Sequence, residues 1–354
     1  MARWFVITLV GWVIVVVLAS MGVREVPLSG VSSPTVSTPA VVYLPYVPHQ
    51  PYWQPAGLAG HTVRALLGSG STTFAGVEPG GVYRAADCAL AWQPRGLADQ
   101  SVFALVQAVD GRLYAGTFGG GVYRSTDSGQ AWQTVNRGLS DPRIYGLAAH
   151  PSLPTLLAAG YDRGMYRTTN GGDLWQRSAP NDMNELNAAL FDPGLPAIAY
   201  AGTYQRGLYK SNDTGATFMP SSTGLPAQVS VWVIAAVQAS GVTTVTLGTS
   251  DGVYVSTDNG SRWQSIGLRG EEVRALAPDP GDAAHWFAGT RAAGVWETTD
   301  AGATWRNINQ GLPPQRAVYA LRLLPGPCSQ LAVGTNDGVY RRPVWMHTNS
   351  EMTR

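Results

Sequence analysis

The chain has 354 residues, of which 13% are charged, and its formal net charge is +1. A nearly neutral chain has no global field that attracts polyanions, so nucleic acid is not expected as a partner. Two cysteines are too few for a disulfide scaffold, whereas 42 glycines and 12 tryptophans suit short strands joined by tight turns.

The amino-terminal segment, residues 4–23, contains no charged side chain and is long enough to cross a bilayer as a helix. Arg3 precedes it and favours a cytoplasmic amino terminus, which places the rest of the chain outside. An uncleaved signal anchor and a cleaved signal peptide both fit residues 1–23. The sequence therefore predicts an extracytoplasmic protein, periplasmic or at the cell surface, that is membrane-anchored or secreted.

Residues 24–51 are rich in Pro, Ser, Thr and Val and show no hydrophobic periodicity. Such a segment cannot bury a core and is predicted to be an extended linker. The folded domain is expected over residues 52–345, followed by a tail over residues 346–354.

One pattern recurs along the domain: an apolar strand, an A-G-T element, a G-V-Y element, a turn with aspartate, and tryptophan. The G-V-Y element ends at Tyr83, Tyr123, Tyr166, Tyr209, Tyr254, Trp296 and Tyr340, at spacings of 40 to 45 residues. This period is typical of a four-stranded propeller blade.

The turn after G-V-Y reads S-T-D-S-G-Q-A-W at residues 125–132 and resembles the Asp-box, or BNR, repeat. Six copies occupy the same place in their repeats, and their acidic or amide positions are Asp87, Asp127, Asn170, Asp213, Asp258 and Asp300. A side-chain oxygen there can accept N–H groups of its own turn, and the glycine supplies a positive φ. These residues are therefore expected to be structural, not catalytic.

Seven innermost strands are predicted, beginning at Val63, Val102, Ile144, Leu186, Val231, Val273 and Val318. The seventh repeat lacks a box, but residues 52–58 match residues 91–97 at the end of the first repeat. We therefore expect an all-β, seven-bladed propeller with four-stranded blades, closed by an N-terminal strand in the last blade.

The cysteines, Cys88 and Cys328, fall in turns of the first and last blades, which are neighbours at the closure. An oxidising compartment permits a disulfide between them. The separation that a bridge tolerates is narrow, and two free thiols remain the alternative.

A binding face is predicted where the inner strands begin, around the central channel. The second residues of the inner strands are Arg64, Phe103, Tyr145, Asn187, Trp232, Arg274 and Tyr319, and the adjoining loops carry Phe118, Tyr161, Asp162, Arg163, Tyr204, Arg206, Arg291 and Asp337. Aromatic residues and arginines are enriched at binding hot spots.

Catalysis has less support. A glycosidase needs two carboxylates at a defined separation, and the acidic residues fall in boxes or loop tips without an evident pair. No metal-ligand cluster or cofactor motif stands out, so no metal and no cofactor are expected. The histidines His61, His150, His285 and His347 are scattered and expected at the surface.

In architecture the chain resembles the photosystem II stability and assembly factor family and, more distantly, sialidases, xyloglucanases and sortilins. The R-I-P motif of sialidases has no match, since Arg143-Ile144 is followed by tyrosine. The resemblance over residues 52–345 implies a non-catalytic scaffold that docks a protein or peptide, including assembly of a membrane complex. The alternative is a glycoside hydrolase or carbohydrate-binding protein.

Overall fold

The computed structural model describes part of the chain. The described residues are 6–9, 12–15, 52–86, 91–178, 180, 183–239, 241–324 and 330–344. Asp87, Cys88, Cys328 and His347 lie outside them, so the disulfide and the first box remain predictions.

The amino-terminal unit contains two short strands, β1 (Val6–Leu9) and β2 (Trp12–Val15), which pair antiparallel. The other positions of segment 4–23 lie outside the described residues, and the spanning helix stays a prediction. Within the described part of the chain, no helix has the length and apolar character needed to cross a membrane.

The carboxy-terminal unit consists of seven four-stranded antiparallel sheets, which confirms the predicted seven-bladed propeller. Blades 1 to 3 contain β4 (Thr62–Ser69), β5 (Thr72–Glu78), β6 (Gly81–Ala86), β7 (Gln93–Pro94); β8 (Val102–Gln107), β9 (Leu113–Thr117), β10 (Gly121–Ser125), β11 (Gln133–Thr134); β12 (Ile144–Ala149), β13 (Leu156–Gly160), β14 (Gly164–Thr168) and β15 (Gln176–Arg177).

Blades 4 to 6 follow the same order from the channel outwards. They contain β16 (Leu186–Phe191), β17 (Ala199–Thr203), β18 (Leu208–Ser211), β19 (Met219–Pro220); β20 (Val231–Ala239), β21 (Val242–Thr249), β22 (Gly252–Ser256), β23 (Gln264–Gly267); β24 (Val273–Asp279), β25 (Asp282–Thr290), β26 (Val295–Thr298) and β27 (Arg306–Asn307).

Blade 7 closes the ring by combining both ends of the domain. Its strands are β28 (Val318–Leu324), β29 (Gln330–Thr335), β30 (Gly338–Pro343) and, outermost, β3 (Gln54–Pro55). Gln54 pairs with Arg341 and Pro55 with Tyr340, so the swapped strand predicted from residues 52–58 is present. Closure of this kind leaves no long sheet edge open for aggregation.

Except in blade 3, the repeated glycine of the second strand packs against an apolar residue at the start of the next inner strand. A Cβ placed on Gly76 would lie 2.8 Å from Val102, and one on Gly334 would lie 2.8 Å from Val63 across the closure. Both valines are fully buried. The repeated glycine is therefore explained by close approach between blades, with no room for a side chain.

Candidate functional site at the channel mouth

A β-bulge occurs near the start of every inner strand, at the second residue in six blades and at the third in blade 1. The pairing of inner and second strands skips one residue in each blade, and the skipped residues are Arg64, Phe103, Tyr145, Asn187, Trp232, Arg274 and Tyr319. A bulge leaves its extra residue out of the ladder and re-aims the side chain.

The seven bulged residues are also the seven that line a cavity of about 110 Å³ at one end of the channel. We call this cavity the mouth. A second cavity of about 240 Å³ is lined chiefly by small and aliphatic residues of the inner strands, such as Ala65, Leu147 and Ile234, and shares four mouth residues. The structure thus brings together every inner-strand residue predicted for the channel face.

Aromatic rings cluster where blades 2 and 3 meet the mouth. The ring centroid of Phe103 lies 4.9 Å from that of Tyr145 and 5.7 Å from that of Phe118. Tyr145 is in turn 5.1 Å from Tyr161. Such distances are typical of favourable aromatic pairs. Burial raises the pKa of Tyr145, with the neighbouring Tyr161 as a smaller cause, so its hydroxyl stays protonated. We call these four residues the aromatic arc.

Two arginines of the mouth stack on aromatic rings. The Arg274 guanidinium lies 3.6 Å from the centroid of Trp232, and the Arg64 guanidinium lies 4.1 Å from that of Tyr319 and 5.0 Å from that of Phe103. Burial lowers the pKa of Arg274, although the nearby Glu272 opposes this effect. Stacked guanidinium groups of this kind are rigid and weakly hydrated, which suits them to recognition.

Each of these arginines also has a carboxylate partner that the sequence reasoning did not identify. Arg64 pairs with Glu78, and Arg274 pairs with Glu272, which also lies 3.1 Å from Arg291. Glu78 ends a second strand and Glu272 directly precedes an inner strand. Both positions therefore adjoin the mouth, but their pairing with the arginines depends on strand register, which the repeat alignment does not give.

The loops between second and third strands place further predicted residues around the mouth. Phe118 and Tyr204 directly follow the threonine of A-G-T, and Thr117 and Thr203 each donate their hydroxyl to a carbonyl at the start of the third strand. Phe118 is 44% exposed and Tyr204 36% exposed, and Tyr204 lies 5.8 Å from Trp232.

The remaining loop charges sit outside the cavity lining. Arg163 and Arg206 are exposed. Asp162 pairs with Arg143, and Asp337 lies 2.6 Å from Arg316. Most of the described arginines in and around the mouth are therefore paired with a carboxylate. The sequence analysis named only one residue of each pair.

The described box turns share one hydrogen-bond pattern. Asp127 Oδ1 accepts the N–H of Ala131 at 2.9 Å and the hydroxyl of Ser125 at 2.8 Å, and Gly129 donates to Ser125 Oγ. Asn170 repeats this pattern with an amide oxygen. In the box of Asp300, hydrogen bonds from Thr304 and Thr298 lower the pKa of the carboxyl to about 2.

The box tryptophans connect neighbouring blades. Trp132 donates its indole N–H to the carbonyl of Arg95, Trp175 to that of Val135, and Trp305 to that of Ile266. Trp53 does the same at the closure, reaching the carbonyl of Ile308 at 2.7 Å. These contacts lie on the outer part of the ring, away from the mouth residues.

Two histidines expected at the surface are buried, so that prediction was wrong for them. His150 is 5% and His285 3% exposed. His285 Nδ1 lies 3.1 Å from Asp279 and its Nε2 lies 3.1 Å from Glu297. Burial opposes protonation of His285, but the two carboxylates outweigh it and raise the pKa. Within the described residues, no group of His, Cys, Asp and Glu side chains is arranged so that it could hold a metal ion.

Comparisons with known proteins show the fold. No protein-family model and no curated protein sequence matches the chain. Among solved structures it is similar to a GH74 enzyme from Niastella koreensis at 17% identity and a TM-score of 0.66, covering 82% of this chain and 53% of that one.

Two further solved structures are similar in fold. A GH74 xyloglucanase from Xanthomonas campestris aligns at 19% identity and a TM-score of 0.66, over 84% of this chain and 54% of that one. The structure of YCF48 bound to D1 peptide aligns at 15% identity and a TM-score of 0.62, over 87% of this chain and 100% of that one. The chain thus spans about half the length of the GH74 enzymes.

Proposed function

We propose that this protein is a non-catalytic, extracytoplasmic docking propeller that holds a peptide or protein segment at the mouth. The observation that supports it most is the convergence of seven bulged, mostly aromatic or arginine side chains on one cavity. Exposed Phe118 and Tyr204 extend the apolar surface beyond the cavity. Rigid aromatic anchors surrounded by polar groups are typical of hot-spot clusters.

The size of the cavity suggests how much of a partner enters it. A volume of about 110 Å³ accommodates one side chain, not a folded element. The rest of the segment would lie across the aromatic arc and the loops. Membrane-associated complexes are candidate partners, in line with the similarity to YCF48, whose structure contains a bound D1 peptide.

The ion pairs of the mouth favour docking over glycoside hydrolysis. A glycosidase needs two carboxylates that are free to act on the sugar, one as acid and one as base or nucleophile. The carboxylates beside the mouth, Glu78 and Glu272, are each paired with arginine instead. Carbohydrate binding or hydrolysis remains the second candidate, since the GH74 enzymes share the fold and aromatic rings also stack on sugars.

The test is selection of ligands by the full-length chain in detergent from a random peptide library, beside a glycan array and fluorogenic glycosides. We expect selected peptides to share an aromatic or aliphatic anchor, and Trp232→Ala to weaken their binding at least tenfold, about 1.4 kcal/mol. The matched control is Trp305→Phe in an outer box. Turnover of a glycoside that is lost in Glu272→Gln would instead establish hydrolysis.

A further inference from the structure

Two residues of the mouth also form part of the wall of the deeper cavity, and their side chains stack on each other. The cavities of about 110 Å³ and about 240 Å³ share four lining residues, Asn187, Trp232, Arg274 and Tyr319. Of these, Arg274 places its guanidinium 3.6 Å from the centroid of the Trp232 ring. We call this pair the stack. Because the stack lines both cavities, it lies where the mouth leads into the deeper cavity.

Each residue of the stack carries a buried N–H group without an acceptor. Trp232 Nε1 and Arg274 Nε are closed off from solvent, and neither has a hydrogen-bond partner among the described residues. Such atoms also occur elsewhere in the described chain, but these two belong to side chains stacked at the wall of a cavity. A buried donor without a partner costs free energy. The closed stack is therefore an arrangement that a ligand with an acceptor can improve.

The other arginine of the mouth is held more completely. Arg64 Nε donates to Glu78. The Arg64 guanidinium lies 4.1 Å from the centroid of Tyr319 and 5.0 Å from that of Phe103. Its Nε is thus satisfied and its guanidinium contacts two rings. Arg64 is the fixed counterpart with which Arg274 can be compared.

Arg274 is held through a carboxylate that it shares. Its Nη2 pairs with Glu272 Oε1, while Glu272 Oε2 lies 3.1 Å from Arg291 Nη1. If Arg274 moves away, Glu272 still has Arg291 as a partner. Breaking an ion pair is costly mainly because it leaves one charge uncompensated. The shared carboxylate therefore lowers the cost of separating Arg274 from Trp232.

The rings of the mouth indicate the kind of side chain that reaches the stack. Phe103, Tyr145 and Tyr319 line the same cavity as the stack, so the methylene groups of a ligand side chain can pack on them. An acceptor oxygen at the end of that side chain suits the two unpartnered donors. Among the longer side chains, those of glutamine and glutamate combine methylene groups with a terminal carbonyl or carboxylate oxygen.

We propose that the Trp232–Arg274 stack is a gate, which opens when a glutamine or glutamate side chain of the docked segment enters the mouth. The terminal oxygen of that side chain accepts the N–H groups of Trp232 Nε1 and Arg274 Nε, and the deeper cavity gives room for the rearrangement. The aromatic or aliphatic anchor expected on the aromatic arc is a separate residue of the same segment. This inference rests on the proposed docking function and adds the chemistry of the side chain that enters the mouth.

The test follows the Trp232 ring in the full-length chain in detergent. Tryptophan is replaced biosynthetically by 5-fluorotryptophan, and the fluorine resonance of position 232 is assigned by its loss in Trp232→Phe. The probes are N-acetyl-glutamine N-methylamide and the same compound with norleucine, which has a similar length but no acceptor oxygen. We expect the glutamine compound to shift this resonance saturably and to bind about fivefold more tightly than the norleucine compound, as one hydrogen bond implies.

The corresponding glutamate compound compares a carboxylate with an amide at the same site, and a saturable shift with either one supports the proposal. The comparison of glutamine with norleucine is made on the unaltered chain, so the affinities do not depend on the folding of a variant. Equal affinities for the two, or a resonance of position 232 that none of the compounds shifts, would overturn the proposal.

Glu272→Gln separates a gate from an ordinary contact by the sign of its effect. A weaker hold on Arg274 raises the population of the open arrangement, so the affinity for the glutamine compound should rise by about threefold. The matched control is Glu78→Gln, which releases the fixed arginine and should not raise the affinity. A fall in affinity with Glu272→Gln would show that no gate is present. Failure of the peptide library alone would count against the docking function, not against the gate.

Discussion

Inner bulges occur in all seven blades and outer hairpins in all but blade 7, yet the two regions differ in how their side chains vary. Outer positions repeat one solution, an acceptor oxygen that holds its own turn and a tryptophan that reaches the preceding blade. Bulged positions include arginine, phenylalanine, tyrosine, asparagine and tryptophan. The positions that repeat are therefore those that hold the ring together. The positions that vary are those whose side chains are not needed for that purpose.

The largest effect on stability is expected at the closure, where the amino-terminal end of the domain supplies the tryptophan and the outermost strand of blade 7. Trp53→Ala removes a side chain that is 3% exposed and its hydrogen bond to Ile308. We expect a loss of about 3–5 kcal/mol in the free energy of unfolding, typical of truncating a buried tryptophan. Denaturation in urea measures it.

Tyr52→Ala is the matched control, because Tyr52 adjoins the same strand but is 44% exposed. Its effect should stay within about 0.5 kcal/mol. Losses of similar size for the two variants would show that β3 does not close the ring.

The next effect concerns the acceptor of a box. Asp213 accepts both the N–H and the hydroxyl of Thr217. Asp213→Ala leaves these donors without their partner and should cost about 1 kcal/mol. Asp213→Asn keeps an acceptor oxygen, as Asn170 does in blade 3, and should retain most of the stability in thermal unfolding. Equal losses for the two variants would argue that the charge, not the hydrogen bond, holds the turn.

Much of the outer architecture could be predicted from the sequence. Six of the seven inner strands begin at the predicted residue, and β4 begins one residue earlier, at Thr62. Internal repetition explains this success, since each blade tests the alignment of the others. Strand swapping was visible because residues 52–58 repeat a sequence that ends a blade.

The bulges and the ion pairs were not predictable. Alternation of apolar and polar residues does not show where a ladder skips a residue, because register depends on pairing with the second strand. Arg274 and Glu272 are two residues apart, but Arg64 and Glu78 meet only when adjacent strands pair. His150 and His285 were expected at the surface because the local sequence does not show the tertiary contacts that bury them.

A smaller effect, with opposite signs at two sites, is expected from these buried histidines as pH changes. Because the pKa of His285 is raised on folding, its contribution to the free energy of unfolding is complete below about pH 6.5, the pKa in the unfolded chain. This contribution is lost as pH rises through the pKa in the folded protein. Burial lowers the pKa of His150, so its contribution is present above about pH 6.5 and is lost as pH falls.

Unfolding in urea across the range from weakly acid to weakly alkaline pH separates the two histidines. His285→Gln should flatten the alkaline side of the stability profile, and His150→Gln the acid side. Asp279, Glu297 and the nearby Arg306 are the charged groups that set the His285 response. A profile that His285→Gln leaves unchanged would show that His285 does not titrate in the folded protein over this range.

The smallest effect on stability is expected at the mouth, and a matched pair of phenylalanines makes the contrast direct. Phe118 is 44% exposed, whereas Phe218, at the tryptophan position of a box, is fully buried. Phe118→Ala should change the free energy of unfolding by no more than about 0.5 kcal/mol, while Phe218→Ala should cost about 3–5 kcal/mol.

Binding should rank the same two variants in the reverse order. Affinity for a peptide selected on the unaltered chain should fall with Phe118→Ala, since Phe118 lies 5.7 Å from Phe103 and 5.9 Å from Tyr145 in the aromatic arc. It should survive Phe218→Ala under conditions where that variant is folded. Suppose instead that Phe118 contributes to stability but not to affinity. The side chains at the mouth would then vary because of packing between blades, and the distinction between structural box positions and binding mouth positions would be wrong.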